Sequence, residues 1–357
     1  NSPLALAIGS NVSGQPVVAD LSRMPHLLIA GTTGSGKSIC IQGITLCLAM
    51  NNTPEQLRLV MLDPKMVELV RFNGLPHLLG RVETELDRMI GVLRWAITEM
   101  DNRYKLLETA GVRDIESFNR RMKRKGEQIM PRIVIMIDEL ADLIMSAPEQ
   151  IEFCLVRLAQ KARATGMHLV LATQRPSTDV LTGVIKANFP ARIAFTVATA
   201  VDSRVILDVN GAESLLGKGD LLFVNPEIGT PIRAQGVYIQ DKEIENVINY
   251  WKEQYPEESE DEAQSPWDDY MSDEEEEDNL VDKAVEIIRE SGHASTSLLQ
   301  RRLKIGYPRA ARLMDELEVQ GIVGPAQSGG REREIFLSED DDNLGDAESE
   351  EDYNSYE

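Results

Sequence analysis

The chain has 357 residues, enough for two or three domains that each bury a core. Its formal charge of −22 is confined to two stretches: residues 257–278 carry thirteen Asp/Glu and residues 339–357 carry ten, neither with a Lys or Arg, which leaves the remainder at +1. The acidity therefore does not exclude nucleic acid as a partner, whereas no run of eighteen apolar residues, the length a membrane-spanning helix requires, is present.

The opening NSPLALAIG lacks the charged and long apolar regions of a secretory signal, and a start at Asn1 is expected of a piece of a longer protein. Residues 4–8 and 16–20 flank GSNVSGQ and predict a short hairpin. A strand at 27–31 runs into a glycine-rich turn and a helix from Lys37 to about Asn51. Continuous apolar runs at 57–63, 132–138, 168–174 and 192–197 predict further strands buried on both faces. Helical patterns fill the intervals at about 83–108 and 149–165, with a basic stretch from Arg120 to Arg132. Five strands alternating with helices predict an α/β fold with a mainly parallel sheet covered on both faces. Residues 219–225 and 232–239 form a closing hairpin, and Asp241 caps a helix to about Tyr255. Cys40, Cys47 and Cys154 fall in apolar helical patterns without metal-ligand spacing, as buried thiols of a reducing cytoplasm do.

The expected organisation is a first domain over 1–256, an acidic linker over 257–278 spanning about 26 Å as a flexible chain, a second domain over 279–338 and an acidic, disordered tail over 339–357. In the second domain, Val281, Ala284, Val285 and Ile288 repeat at helical spacing. Leu299 and Leu303 mark a second helix behind the capping candidates Ser295 and Thr296, and Ala310, Leu313, Met314 and Leu317 mark a third. IVGPAQSGGREREIFL adds two strands around a glycine turn, completing a small winged helix-turn-helix with 309–317 as its recognition helix.

The chemistry starts at LLIAGTTGSGKS (27–38), whose last eight residues fit G-x-x-x-x-G-K-[ST]. Gly31, Thr32, Thr33, Gly34, Ser35 and Gly36 form a loop whose N–H groups, with the following helix N-terminus, cradle phosphates. Lys37 reaches the β- and γ-phosphates of ATP, and Ser38 holds Mg²⁺. IVIMIDEL puts Asp138 and Glu139 at a strand's carboxyl end, Asp138 as a metal ligand and Glu139 to polarise the attacking water. Thr173 or Gln174, in ATQRP, ends the next strand at the same edge, as γ-phosphate sensor or as plain strand-end polar groups. Asp63 and Lys65, in LDPK, stand at that edge too, where a structural ion pair explains them equally well.

HLLIAGTTGSGKS, MLDPKMVEL, IDELADL, RLAQKARATGMHLVLATQRPSTDVLTGVIKAN and GAESLLGKGDLL together resemble the FtsK/SpoIIIE DNA translocases, and LLQRRLKIGYPRAARLMDELEVQGIVGP resembles their C-terminal γ domain. The resemblance covers about 1–255 and 279–338. It implies a RecA-like P-loop NTPase motor, a DNA-dependent ATPase, assembled as a hexameric ring around double-stranded DNA with ATP at subunit interfaces. It further implies a γ domain that reads polar chromosomal sequences and helps activate site-specific tyrosine recombinases, in chromosome partition at cell division. Arg163, on sequence alone a helix-surface residue, matches the arginine that reaches the neighbouring subunit's nucleotide. Arg175 and Lys186, otherwise ordinary surface cations, fall in the region resembling pore-facing loops that contact DNA phosphates. The fragment itself is expected in the cytoplasm, with the full-length protein anchored at the division septum through a membrane domain outside this chain. Two departures stand out. Ala200 occupies a position often cationic, so that one interfacial cation is either absent or replaced by Arg204, and Pro308 precedes Arg309 where Asn or Thr is common, with Asp315 in place of Glu. Arg309 and Arg312 remain the DNA-reading candidates. The rival readings are a protein-secretion ATPase of the same superfamily and a nucleotide-switched DNA-binding regulator.

Overall fold

All five apolar runs become neighbouring strands of one sheet. The computed structural model describes residues 2–256, 265–270, 283–289, 291–303, 310–311, 313–314, 317–318, 321–324 and 336. It divides into two compact units, Asn1–Met271 and Ser272–Glu357.

In the first unit, strands β3 (His26–Ala30), β4 (Leu57–Leu62), β5 (Arg132–Ile137), β6 (Met167–Thr173) and β7 (Ala191–Phe195) pair in parallel in the spatial order β7-β3-β6-β5-β4. Every residue of β3 and β6 is buried, as expected of strands covered on both faces. Alternate side chains divide between two cores: Leu28 and Ala30 join one, Leu27 and Ile29 the other. The first core packs under α2 (Leu86–Thr109), α4 (Leu140–Ser146) and α5 (Pro148–Lys161). The second packs under α1 (Lys37–Asn51) and α8 (Asp241–Gln254), through Ile41, Ile44 and Leu48 of α1 and Ile244, Ile248 and Trp251 of α8.

The two predicted hairpins form, and they meet. β1 (Ala5–Asn11) pairs with β2 (Pro16–Asp20) on one side and with β9 (Pro231–Gly236) on the other, while β8 (Asp220–Val224) joins β9 antiparallel to β7. The result is a nine-stranded sheet in which a parallel centre carries an antiparallel extension. The basic stretch becomes the end of α3 (Ile115–Lys125), capped by the Asp114 carboxylate on the Ser117 N–H at 2.8 Å, and the start of β5. Buried Arg103 ties α2 to the loops before β5 and β6, donating to the carbonyls of Pro131 at 2.8 Å and Thr165 at 3.1 Å.

Several expectations are corrected. The cap of α8 is Gln240, whose N–H is taken by the Glu243 carboxylate at 2.8 Å; Asp241 is the first helical residue and pairs with Arg71 at 2.6 Å. Cys40 and Cys154 are buried, and burial raises their thiols to about 12 and about 11, but Cys47 is only half-buried. Part of the expected acidic linker belongs to the first unit. Ser265–Tyr270 packs on the first unit with Trp267 fully buried, because an indole outweighs the local excess of charge.

In the second unit, residues 283–289 are helical and α9 spans Thr296–Leu303, with the Ser295 hydroxyl accepting from the Leu298 N–H at 3.2 Å. Ala284, Ile288, Leu299, Ala310, Leu313 and Leu317 share its core, so the helical spacings of all three predicted helices converge. Phe336 N–H donates to the Ile322 carbonyl at 2.9 Å, while residues 325–335 and 337 of the predicted wing lie outside the described residues. Pro308, Arg309, Arg312 and Asp315, and the 339–357 tail, lie outside the described residues.

Candidate functional site

The carboxyl ends of β3, β5 and β6 converge on one point. The loop after β3 is fixed by backbone: Gly31 N–H donates to Thr173 O at 3.3 Å and Thr32 N–H to Thr196 O at 3.0 Å. Gly36, with φ of 119°, is where a side chain is least tolerable, since a Cβ there would stand 2.7 Å from the Gly219 Cα. Thr32, Thr33, Gly34, Gly36, Lys37 and Ser38 line a cavity of about 720 Å³ that Gln174 also faces. Gly31 stays in the strand-to-loop turn, its missing Cβ leaving room for Phe195 and the Ser35 hydroxyl.

Lys37 and Asp138 are both buried and joined, with Nζ 2.7 Å from Asp138 Oδ1 and 2.7 Å from the Asp138 carbonyl. Burial raises the Asp138 carboxyl above its ordinary range; Lys37 pulls it down, and Asp63 and Glu68 push it up again. Among the described residues, its second oxygen, Oδ2, is buried without a hydrogen-bond partner. An orphaned carboxylate oxygen is a hard donor of the kind that suits Mg²⁺, as is the Ser38 hydroxyl on the cavity wall.

Glu139 is fully buried, and burial alone would raise its carboxyl. Three donors win instead and hold it below the usual range: Lys65 Nζ at 2.5 Å, Thr173 Oγ1 at 2.7 Å and the Gln174 N–H at 3.1 Å. Gln174 in turn accepts from Thr33 Oγ1 at 2.8 Å, so one residue bridges the phosphate loop and the Glu139 carboxylate. The edge residues Asp63 and Lys65 do not pair with each other. Asp63 Oδ2 accepts the N–H groups of Val67, Glu68 and Leu69 at 2.8–3.1 Å, and that folded loop presents Lys65 to Glu139. Each acidic residue after β5 is thus held by its own lysine.

The other candidates lie elsewhere. Arg163 precedes β6 and so sits at the amino edge of the sheet, across from the phosphate loop, beside Ser22, Arg113 and Arg132 in a separate cavity of about 470 Å³. Arg175 is exposed, 3.9 Å from Asp142. Lys186, on α6 (Gly183–Asn188), is committed to a triad in which Asp208 takes Lys186 at 2.8 Å and Arg192 at 2.5 Å. Ala200 opens α7 (Ala200–Leu207), and Arg204 donates to Asn210 at 2.7 Å.

Sequence reasoning missed one wall of the cavity, made by Glu68, Arg71, Lys218, Gln235–Ile239 and Asp241. The signal was the cluster GKGD: Gly217, Lys218 and Gly219 all have positive φ, and Gly219 must pass against both Gly36 and Gln235.

Parallel strands in this order, with a phosphate loop at the carboxyl edge and an acidic pair two strands away, beyond β6, define a RecA-like P-loop NTPase fold. Within that class the comparisons are specific. The chain belongs to the FtsK/SpoIIIE family: that family's model matches residues 1–178, and the Ftsk gamma domain model matches 275–338. The "DNA translocase FtsK" of Caldanaerobacter subterraneus subsp. tengcongensis is 51% identical over 336 residues, covering 94% of this chain and 47% of that protein. The "DNA translocase SpoIIIE" of Bacillus subtilis is 46% identical over 350 residues, covering 95% and 44%. The chain thus spans about half the length of the curated relatives it matches. Among solved structures, it resembles the pCW3 conjugation coupling protein TcpA, in its monomer form with ATPγS, with a TM-score of 0.62 and 30% identity over 70% of this chain and 71% of that one. It also resembles the cytoplasmic domain of the type VII secretion ATPase EccC of Thermomonospora curvata, with a TM-score of 0.63 and 28% identity over 70% and 31%.

Proposed function

We propose that this chain is the motor and DNA-reading part of an ATP-driven double-stranded DNA translocase acting in chromosome partition at cell division. The observation that carries this reading is the joining, in one chain, of a phosphate-loop site paired with Asp138 and Glu139 to a segment matching the gamma domain. Relatives named DNA translocase over nearly the whole chain support it.

In this reading Gly31–Gly36 and the start of α1 hold the triphosphate of ATP, and Lys37 leaves Asp138 for the β- and γ-phosphates. Ser38 and Asp138 hold Mg²⁺, which when bound neutralises phosphate charge. Glu139 accepts a proton from the water attacking the γ-phosphorus, and for that Lys65 must let go of Oε2. Gln174, bonded to Thr33 and, through its N–H, to Glu139, reports γ-phosphate occupancy to the general base. Arg163 lies too far across the sheet to reach its own nucleotide and serves the next subunit of a hexameric ring, where it stabilises transition-state charge. Arg175 contacts DNA phosphates, with Lys186 contributing only if it leaves Asp208. Arg309 and Arg312 read bases from the γ domain, and site-specific tyrosine recombinases are its protein partners. The full-length protein is membrane-anchored at the septum; in this chain no described helix is long and apolar enough to cross a membrane.

Displacement of a triplex-forming strand from linear duplex, with ATP, tests the reading. Displacement that requires ATP is expected, with Lys37→Ala losing nucleotide binding, Glu139→Gln trapping ATP, and Arg163→Ala binding but not hydrolysing. ATPase activity indifferent to linear duplex would refute translocation. The likeness to EccC favours a polypeptide-pulling ATPase as a second reading, and stimulation by peptide but not duplex would select it.

A further inference from the structure

Within the acidic stretch, the hexapeptide Ser265–Tyr270 is packed against the first unit. Trp267 is fully buried, its ring 5.4 Å from that of Trp95 and edge-on at 61°. Its indole N–H donates to Glu83 Oε1 at 2.6 Å. An acidic segment approaching a buried glutamate should be repelled, and Arg88 removes the conflict. Its guanidinium grips Glu83 at 2.7 and 2.9 Å and, from the same fork, Asp268 at 2.9 Å. Asp268 Oδ2 also accepts the Ser265 N–H at 2.8 Å, and the Tyr270 N–H donates to Trp267 O at 2.9 Å, so the peptide is folded as it docks.

The receiving surface is shaped for this occupant. Gly80 has φ of 83°, and a Cβ there would lie 2.6 Å from the Ser265 hydroxyl and 2.9 Å from the Trp267 ring. Glu83 is held by the backbone of β4, donating to Met61 O at 2.9 Å and accepting from the Asp63 N–H at 2.9 Å. The backbone that carries the Glu83 acceptor is thus fixed by bonds that do not involve the hexapeptide.

We propose that Gly80, Glu83, Arg88 and Trp95 form a binding pocket for a tryptophan-centred acidic peptide, and that Ser265–Tyr270 of the same chain is its resident ligand. The site does not depend on the translocase reading. Its consequence is mechanical. With the ligand seated, the connection to the helical segment at 283–289 begins after Tyr270, and twelve residues reach at most about 40 Å. With the pocket empty it begins after Pro256, and twenty-six residues reach at most about 90 Å. The seated ligand thus raises the effective concentration of the second unit at the first.

Two measurements on the full chain test this. Hydrogen exchange should find the amides of 265–270 protected in the wild type and exchanging freely in Trp267→Ala and Arg88→Ala, with β3–β7 unchanged as the control for folding. Trp267→Phe should retain part of the protection. Spin labels at Glu108 and Arg289, in a Cys47→Ala background, should give a distance distribution that broadens and whose mean lengthens by about 10 Å in Trp267→Ala, as a flexible connection of twenty-six residues in place of twelve requires. Wild-type amides exchanging like a free peptide, or a distribution that the substitution leaves unchanged, would overturn the proposal. Protection that appears only as chain concentration rises would give the ligand to a neighbouring copy and overturn the intramolecular assignment.

Discussion

Lys65→Met probes the cation that holds Glu139. Nζ lies 2.5 Å from Oε2, and the carboxylate is fully buried while the lysine side chain is 31% exposed. A hydrogen bond to a charged group contributes about 1.5–3 kcal/mol. Partial exposure of the lysine moves the expectation to the lower end of that range and below it, about 1–2 kcal/mol. Lys65→Met should lower the urea midpoint by roughly 0.5 M, taking a slope of about 3 kcal/mol per molar urea. Glu139→Gln keeps an acceptor for Thr173 and removes the charge, so adding Lys65→Met to it should cost almost nothing. The double-mutant cycle then returns a coupling of about 1–2 kcal/mol. The sign with pH follows from the lowered Glu139 carboxyl. Its contribution is present above the ordinary glutamate value of 4.5 and is lost as pH falls through the folded value, so the coupling should persist at pH 6 and fade in stronger acid. A coupling under about 0.3 kcal/mol at pH 7.5 would refute the claim that Lys65 stabilises this carboxylate.

Gly36→Ala drives a Cβ onto the Gly219 backbone and should weaken binding of a fluorescent ATP analogue by more than about tenfold, whereas Gly34→Ala, with open space around it, should do less; equal effects would contradict the geometry. Arg103→Met leaves the Pro131 and Thr165 carbonyls without their donor and should cost about 3 kcal/mol in chemical denaturation. Burial lowers His26 and His77 to about 4 and His168 to about 3, from an ordinary 6.5. Their contribution is complete above pH 6.5 and lost as pH falls towards 4, so stability should drop with a slope approaching about 4 kcal/mol per pH unit near pH 5; a flat profile between pH 7 and 5 would exclude it.

What was legible in the sequence follows from periodicity and local motif. Leu57–Leu62 and Arg132–Ile137 announce themselves because a strand between two helical layers has no polar face to show. The phosphate loop and the acidic pair are spelled in consecutive residues, and the sheet brings Lys37 and Asp138 together as their strand ends predict. Partnerships across the chain were not legible. Nothing near Lys65 marks Glu139 as its partner rather than Asp63, because the choice is made by three backbone N–H groups that claim Asp63. Trp267 was hidden for the opposite reason: composition averaged over an acidic stretch masks one aromatic residue whose partners, Gly80, Glu83 and Arg88, lie far upstream. Arg163 could be placed on a helix end but not across the sheet from the phosphate loop until the strand order was known.

The pairing of β1 with β9 has a consequence for synthesis. Gly9 faces Gly236 in the finished sheet, so during synthesis the first strand of this unit waits for its last. At about 5–20 residues per second that wait is on the order of ten seconds or more. In that interval β1 can hold only its hairpin partner β2, and two-stranded hairpins are marginal in water. The nascent chain therefore carries an unpaired strand edge until β9 arrives, and closure of the sheet, rather than formation of the parallel centre, completes the unit.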